Sequence, residues 1–520
     1  MPDDAKPSRA APRGASSAPV PVAVGSALLA RSASQTLAEQ LAGHYAARIR
    51  QRLLLPGARL PSVRESARRH RVSASTVVAA YDRLLAQGLV EAKRQRGFFV
   101  RDGDALAPRS AGTPRPPEAQ PSATRLEITT ETALHLRAPL RPPPVDATAL
   151  IRGMFAADAQ RPAPGLGTLP AEWLDGAMLQ TALRRVMVPS NSAQGTASPS
   201  SFLSYGEPAG DSRLRDALAQ RLADFGVPAT AAQIVTANGA THALDIASRG
   251  LLTPGDAVLV DEPGWSVEFA RLTQLGMRLL PVPRGGDGPD LDAMAALAQA
   301  HRPRLYVTCS VLHNPTGASL SLASAHQVLR LAEQHDFRIL EDDTYAHLAP
   351  AHAPRLSALD GLRRTIYVSG FAKILAPGWR VGFMAAPPDL VERLVDVKLL
   401  GTLTTPALLE QAVAVCLEQG WLRRHAERVI ARLGAARTRT VKLALAAGCR
   451  FVTPPAGLFG WLDTGVDTER LATDMLDDGW LLAPGTVFHP GRQPSTLMRI
   501  NFATTQDPRF WRAFEKARLG

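Results

Sequence analysis

Cysteine is scarce in this 520-residue chain. Its three residues, Cys309, Cys416 and Cys449, are scattered and show no metal-ligand spacing. That excludes a disulfide framework and a cysteine-built metal site, and it suits a reducing cytoplasm. Long apolar runs are also missing. No stretch of about 18 or more uncharged apolar residues occurs, so no membrane span or membrane partner is expected. The Ala-, Pro- and Ser-rich N-terminus has no apolar signal core. What remains is an ordinary globular balance of 45% apolar and 20% charged residues. The chain is too long for one compact core, so two or more domains are expected.

Charge is distributed unevenly. The net charge is +12, of which residues 34–102 carry +8, residues 1–33 carry +2 and residues 103–148 none. A small basic segment therefore precedes a large, nearly neutral body, and a localised basic patch is an electrostatic footprint for nucleic acid. Residues 1–33 are low-complexity and expected to be disordered. Residues 103–148 are rich in Pro and Ala and read as a semi-stiff linker.

Within 34–102, Leu37, Leu41, Tyr45, Ile49 and Leu53 recur every four residues and predict a helix, closed by Pro56-Gly57. Ser62 and Glu65 form a capping-box pattern for a second helix running to about His70. Ser73 begins a third, with Val77, Tyr81 and Leu84 on one face and Gly88 as its stop. Two short strands, Leu89–Ala92 and Gly97–Val100, flank the turn Lys93-Arg94-Gln95-Arg96. Three helices and a basic hairpin are the order of a winged helix-turn-helix, whose second helix of the pair enters the major groove of double-stranded DNA. Ser73, Ser75 and Thr76 would approach phosphates and base edges, Arg64 and Arg69 the backbone, and Arg94 and Arg96 would form the wing. The stretch LPGARLPSVRESARRHRVSASTVVAAYDRLLAQGLVEAKRQRGFFV resembles the DNA-binding domain of GntR-type regulators. Its LPS-x-R and VS-x-x-T elements, Tyr81, GLV turn and wing fall in the family's order. It departs at Ala74, where many relatives carry arginine, so a sequence preference does not carry over.

From about residue 149 strand-like runs alternate with helical ones. The strands expected are Ile234–Ala237, Ala257–Val260, Leu305–Cys309, Arg338–Leu340 and Thr365–Val368. This alternation implies an α/β body with a mostly parallel sheet, in which ligands sit at the C-terminal strand ends. Sequence motifs fall at those ends. Asn238-Gly239-Ala240-Thr241 opens a helix whose amides suit a phosphate. Trp265 offers a ring face, and Asn314 in His313-Asn314-Pro315-Thr316-Gly317 a side-chain amide. Asp342 and Tyr345 follow another strand. Lys373 follows Ile366-Tyr367-Val368, with Arg380 one loop on. A lysine so placed forms a Schiff base when desolvated, and a carboxylate paired to a pyridinium nitrogen makes the ring an electron sink. Each element taken singly also fits a plain role: a capped helix start, a core tryptophan, a tight turn, an acidic loop, a surface lysine.

Their order and spacing resemble fold-type I pyridoxal-phosphate enzymes, specifically class I/II aminotransferases, over about residues 165–505. The resemblance implies that Lys373 carries pyridoxal 5'-phosphate. It assigns the phosphate to Arg380, Gly239, Ala240 and Thr241, the ring nitrogen to Asp342, the ring oxygen to Asn314 and Tyr345, and the ring face to Trp265. Lys373, Asp342 and Tyr345 would be the catalytic set. Tyr205, in Ser204-Tyr205-Gly206-Glu207-Pro208, matches a tyrosine that reaches the partner subunit's phosphate. Arg499, in Met498-Arg499-Ile500-Asn501-Phe502, matches the arginine that grips an α-carboxylate bidentately. Relatives usually carry hydroxyls where this chain has Gly370 and Ala372. Each lost charge-assisted hydrogen bond costs about 1.5–3 kcal/mol of cofactor binding, and Ser369 is expected to compensate by a shifted turn.

The whole arrangement resembles the MocR subfamily. The fold implied is a small N-terminal winged helix-turn-helix plus a large fold-type I α/β domain over 149–520, with a smaller C-terminal α+β subdomain from about 390. The function implied is a cytoplasmic, homodimeric transcription regulator that senses pyridoxal phosphate or an amino-compound effector, each module resting on the partner. The alternatives are a working aminotransferase with an accessory DNA-binding module, and a DNA-binding protein whose body only dimerises.

Overall fold

The computed structural model of the chain describes residues 35–50, 54, 57–93, 97–101, 163–188 and 203–519. The expected tail (1–33), the linker (103–148) and the wing arginines Arg94 and Arg96 lie outside the described residues. No described helix is long and apolar enough to cross a membrane.

The N-terminal module consists of α1 (Leu37–Arg50), α2 (Val63–His70), α3 (Ala74–Ala86) and the antiparallel strands β1 (Val90–Lys93) and β2 (Gly97–Val100). The four-residue stripe of α1 is buried through Leu41, Tyr45 and Ile49 against Val77, Tyr81 and Leu84 of α3. Tyr45 and Tyr81 meet edge to face at 5.7 Å, and the Tyr81 hydroxyl donates to the carbonyl of Pro61 at 2.9 Å. Ser62 and Ser73 cap α2 and α3, accepting from the amides of Glu65 and Thr76. The Glu65 carboxylate lies 3.4 Å from the guanidinium of Arg69.

The body opens with α4 (Gly176–Met187) and α5 (Ser212–Asp224). Then come β3 (Ile234–Ala237), α6 (Ala240–Leu251), β4 (Ala257–Glu262), α7 (Ser266–Gln274), β5 (Arg278–Pro283), α8 (Leu291–His301) and β6 (Leu305–Thr308). They are followed by α9 (Leu322–Gln334), β7 (Arg338–Asp342), α10 (Leu356–Asp360), β8 (Thr365–Gly370) and β9 (Gly382–Ala385). The seven strands form one sheet in the order β3-β9-β8-β7-β6-β4-β5. From β8 to β5 all neighbours are parallel, and β9 runs antiparallel to both β8 and β3. Helices cover both faces, so the inner strands are buried apolar runs such as Val258-Leu259-Val260, while the edge strand β5 is exposed at its ends.

Next, α11 (Pro388–Thr402), α12 (Ala407–Glu418) and the 26-residue α13 (Trp421–Ala446) lead to a second sheet. Its elements are β10 (Arg450–Phe451), β11 (Phe459–Asp463), α14 (Thr468–Asp477), β12 (Ala483–Pro484), β13 (Leu497–Asn501) and α15 (Pro508–Leu519). The strand order is β10-β11-β13-β12, all antiparallel. One continuous apolar core joins Phe371 and Leu375, just beyond β8, to Phe459, Trp461 and Phe488 of this C-terminal part. That shared core holds the small sheet over the C-terminal strand ends of the large one.

Candidate cofactor and DNA sites

Five strands of the large sheet end at one cavity of about 550 Å³. Each strand delivers a side chain for a topological reason: the parallel strands all finish at the same edge, and the chain must turn there. Ala240 and Thr241, after β3, line the cavity, as do Trp265 after β4, Asn314 after β6, Asp342 and Tyr345 at the end of β7, and Lys373 after β8. Arg380, in the loop before β9, and Arg499, from β13 of the small sheet, close it.

Gly239 stands at the head of α6 with φ +83°, a left-handed conformation that favours glycine. A Cβ there would lie 2.4 Å from Nη2 of Arg380. Arg380 donates to the carbonyl of Asn238 at 3.1 Å, which fixes its guanidinium beside the helix start. The first amides of α6 have no intrahelical partner, so an arginine and a helix N-terminus face the same space. That donor set fits a phosphate.

Lys373 donates to the carbonyl of Gly167 at 2.8 Å. Burial, reinforced by the nearby Arg499 charge, brings its pKa down to about 8. Burial likewise pushes the Asp342 carboxyl up to about 6, against the opposing hydrogen bonds from the Thr344 amide at 3.0 Å and the Thr344 hydroxyl. Tyr345 is buried, and burial raises its phenol. The Tyr345 ring meets Phe459 edge to face at 5.4 Å.

Arg499 lies between the rings of Phe459 and Phe488, 4.4 and 5.0 Å from their centres. It donates to the side-chain oxygen of Asn314 and to the carbonyl of Gly165, each at 2.6 Å. Its Nε is buried and unpaired, and burial lowers its pKa to about 10. Among the described residues no carboxylate pairs with it. A buried cation without an anion is costly, and a carboxylate ligand would relieve that cost.

Two expectations are corrected. Ser369 does not reach the cavity: it sits in β8, 1% exposed, and donates to the carbonyl of Asp343 at 2.8 Å. It therefore replaces neither hydroxyl missing at Gly370 and Ala372. Gly370 has a packing reason, because a Cβ there would come within 3.3 Å of the Ala240 amide, the Gly382 Cα and the Val381 carbonyl. Arg69 is committed to Asp474 at 2.7 Å and to Asp477 rather than presented to a DNA backbone. Tyr205, expected at the partner subunit's phosphate, lies outside the cavity of its own chain and is 81% exposed.

The loop Gly165-Leu166-Gly167 escaped the sequence reading. It supplies carbonyls to both Lys373 and Arg499, and Asn501 pins it through the carbonyls of Leu166 and Thr168. A Cβ on Gly165 would lie 2.5 Å from the Leu482 backbone, so the paired glycines were the only local signal. Phe488 was also missed; nothing near it in the sequence marks it.

On the module, Arg64, Ser73 and Ser75 are exposed and Thr76 is partly so. The Ser73 hydroxyl is shared with those of Ser75 and Thr76 at 2.8 and 2.7 Å, a compact cap at the head of α3.

The family described as "Aminotransferase class I and II" matches residues 176–516. The chain belongs to that family. Residues 37–100 match "Bacterial regulatory proteins, gntR family". The chain thus joins a GntR helix-turn-helix domain to a fold-type I aminotransferase domain. Over nearly its whole length it is similar to the uncharacterized HTH-type transcriptional regulator YisV of Bacillus subtilis, with 26% identity over 459 residues, covering 87% of this chain and 89% of that one. Aromatic-amino-acid aminotransferase 1 of Thermococcus litoralis shares 28% identity over 313 residues, 58% of this chain and 75% of that enzyme. The fold matches LysN, an α-aminoadipate aminotransferase from Thermus thermophilus solved with N-(5'-phosphopyridoxyl)-L-leucine. The TM-score is 0.63 at 24% identity, over 72% of this chain and 95% of that one.

The cofactor of this family is pyridoxal 5'-phosphate, and the residues present fit it: a phosphate cradle, a flat ring face, a carboxylate, and a lysine of lowered pKa. Pyridoxal phosphate supplies an aldehyde for amines and a ring that withdraws electrons.

Proposed function

We propose that the chain is a DNA-binding transcription regulator, acting in the cytoplasm as a homodimer, whose aminotransferase domain binds pyridoxal phosphate through Lys373 and senses the cofactor or an amino-compound effector. The observation that carries this reading is one chain with two sites: an exposed helix-turn-helix face, and a cavity where Lys373, Asp342, Asn314 and Arg499 converge. Lys373 would hold the cofactor aldehyde, Arg380 and the Gly239–Thr241 turn its phosphate, Asp342 its ring nitrogen, and Asn314 and Tyr345 its ring oxygen. Trp265 would cover the ring, and Arg499 would take an effector carboxylate. Arg64, Ser73, Ser75 and Thr76 would meet DNA, with Arg94 and Arg96 in the wing. The domain division at 34–102, 103–148 and 149–520 belongs to the same reading.

The homodimer is supported by exposed apolar residues around one loop. Leu203 and Tyr205 are 88% and 81% exposed, and the adjoining segment exposes Leu400 at 91%. Gly206 packs beside the carbonyl of Thr405. A second copy covering this surface would bring Tyr205 toward the partner's phosphate site. Footprinting of the intergenic region flanking the gene, with and without pyridoxal phosphate, tests the whole reading. Protection that changes with cofactor, and loses that change in Lys373→Ala, is expected; identical footprints in all cases would sink it.

Arg499 favours a second reading, a working aminotransferase. Its guanidinium is buried beside Lys373, and among the described residues no carboxylate pairs with it. Single-turnover mixing of the cofactor-loaded protein with a panel of amino acids tests this by absorbance. No change for any member of the panel rules the reading out.

A further inference from the structure

Within one chain, and not only across a dimer as the resemblance implied, the DNA-binding module meets the aminotransferase domain in a charged contact. Arg48, near the end of α1, and Arg69, in the last turn of α2, both bond to the Asp477 carboxylate at the C-terminal end of α14. Arg48 also donates to the carbonyl of Leu476 at 2.5 Å, and Arg69 to Asp474 at 2.7 Å. Arg48 and Asp477 are each 8% exposed. His44, Tyr45 and His70 of the module lie close enough to feel the Asp477 charge. Two guanidinium groups converging on one carboxylate need that anion between them, and the negative end of the helix dipole adds to the attraction. The docked module keeps its other face open, with Ser73 and Ser75 exposed.

The same ten-residue helix touches the cavity wall. Thr468, its first residue, accepts from the amide of Gly485 at 3.2 Å. The segment Gly485–Phe488 carries Phe488 onto the guanidinium of Arg499. Ala483, just before it, pairs directly with Arg499 across β12 and β13. One rigid element therefore spans the short path from the carboxylate-gripping arginine to the two arginines of the module.

We propose that the acidic end of α14, Asp474 and Asp477, is the docking surface for the DNA-binding module, and that this contact carries the state of the effector cavity to the DNA. The coupling rests on the regulatory reading above. Filling the space at Arg499 shifts Phe488 and its segment, α14 moves with them, and the module changes its orientation or its hold. Such coupling is reciprocal, so DNA that favours one orientation changes cofactor affinity by the same factor.

The test uses the full-length chain and a duplex from the flanking intergenic region. In the double variant Asp474→Lys/Asp477→Lys, small-angle scattering should show a larger radius of gyration, while pyridoxal phosphate absorbance stays as in the wild type. The cofactor-dependent change in DNA affinity should fall to less than about twofold. Arg48→Asp/Arg69→Asp should loosen the module, and the full charge swap with Asp474→Arg/Asp477→Arg should restore the compact form, which a merely misfolded variant would not. An unchanged radius in the lysine variant overturns the docking surface. A released module with the full cofactor response overturns the coupling. A wild-type chain whose DNA affinity ignores the cofactor sinks the regulatory reading and the coupling with it, and leaves the docking surface to be judged by scattering alone.

Discussion

The side-chain oxygen of Asn314 accepts a 2.6 Å hydrogen bond from Arg499. One residue follows a strand of the large sheet and the other lies in the small sheet. The bond links the group assigned to the cofactor ring with the group assigned to a ligand carboxylate. Arg499→Gln removes a bidentate, charge-assisted grip of about 3 kcal/mol, so carboxylate effectors should bind about 100-fold more weakly. Pyridoxal phosphate itself should bind nearly as before. Absorbance titrations of the two proteins check this, and equal loss of both affinities counts against the assignment.

Only the neutral amine of Lys373 is a nucleophile. With its pKa brought down to about 8, the rate of cofactor attachment to the apo chain should climb about tenfold per pH unit on the acid side. It should level off above about pH 8. Stopped-flow absorbance follows the step, and Lys373→Ala should show none of it.

The Asp342 carboxyl is raised to about 6 by burial. The folded apo chain therefore keeps this proton to a higher pH than the unfolded chain. Stability from this group is full below the unfolded value and falls as pH rises toward about 6. The loss is at most about 3 kcal/mol. Asp342→Asn should raise the apo melting temperature at neutral pH by a few degrees, with the gap closing toward acid. The same variant should weaken cofactor binding, since the carboxylate partner of the ring nitrogen is gone. Calorimetry across pH gives the first readout and equilibrium dialysis the second.

Gly239→Ala sets a Cβ 2.4 Å from Arg380 and strains a left-handed φ of +83°. The helix start and the guanidinium then cannot occupy their present positions together. Cofactor affinity should fall at least tenfold, about 1.4 kcal/mol. Pyridoxal, which lacks the phosphate, should be affected far less.

Arg64 is exposed in the first turn of α2. Arg64→Ala should weaken binding about equally for specific and unrelated duplexes and reduce the salt slope by about 1. Fluorescence anisotropy at several salt concentrations measures both. A loss confined to one sequence would point to base contact instead.

Much of the architecture was legible in the sequence because it rests on local periodicity. The stripe of α1 through Leu41, Tyr45 and Ile49, the serine caps at Ser62 and Ser73, and the apolar runs of β3, β4, β6, β7 and β8 appear where the pattern put them, while Leu53 and Pro56 lie outside the described residues. The cavity residues were legible for a related reason. Asn314, Asp342, Tyr345 and Lys373 each follow a strand, and parallel strands finish at one edge. Ser369 was misread because strand alternation and the tight approach of Gly370 to Ala240 decide which way it points. Arg69 was misread, alongside Arg64, as a DNA-backbone contact, because only the packing of the module against α14 commits it to Asp474 and Asp477.

The helices and strands of the module, five strands of the large sheet, the uneven charge along the chain, and the residue types of the cavity were determined by the sequence itself. Each depends on neighbours a few positions away or on composition. The tertiary structure alone decided that Arg499 meets Asn314, that the Gly165–Gly167 loop faces Lys373, and that Arg48 and Arg69 close on Asp477. Those pairs lie 185, 206, 429 and 408 residues apart in the chain. No local propensity reports such distances; only the packing of one sheet over another and of the module against α14 brings the groups within bonding reach.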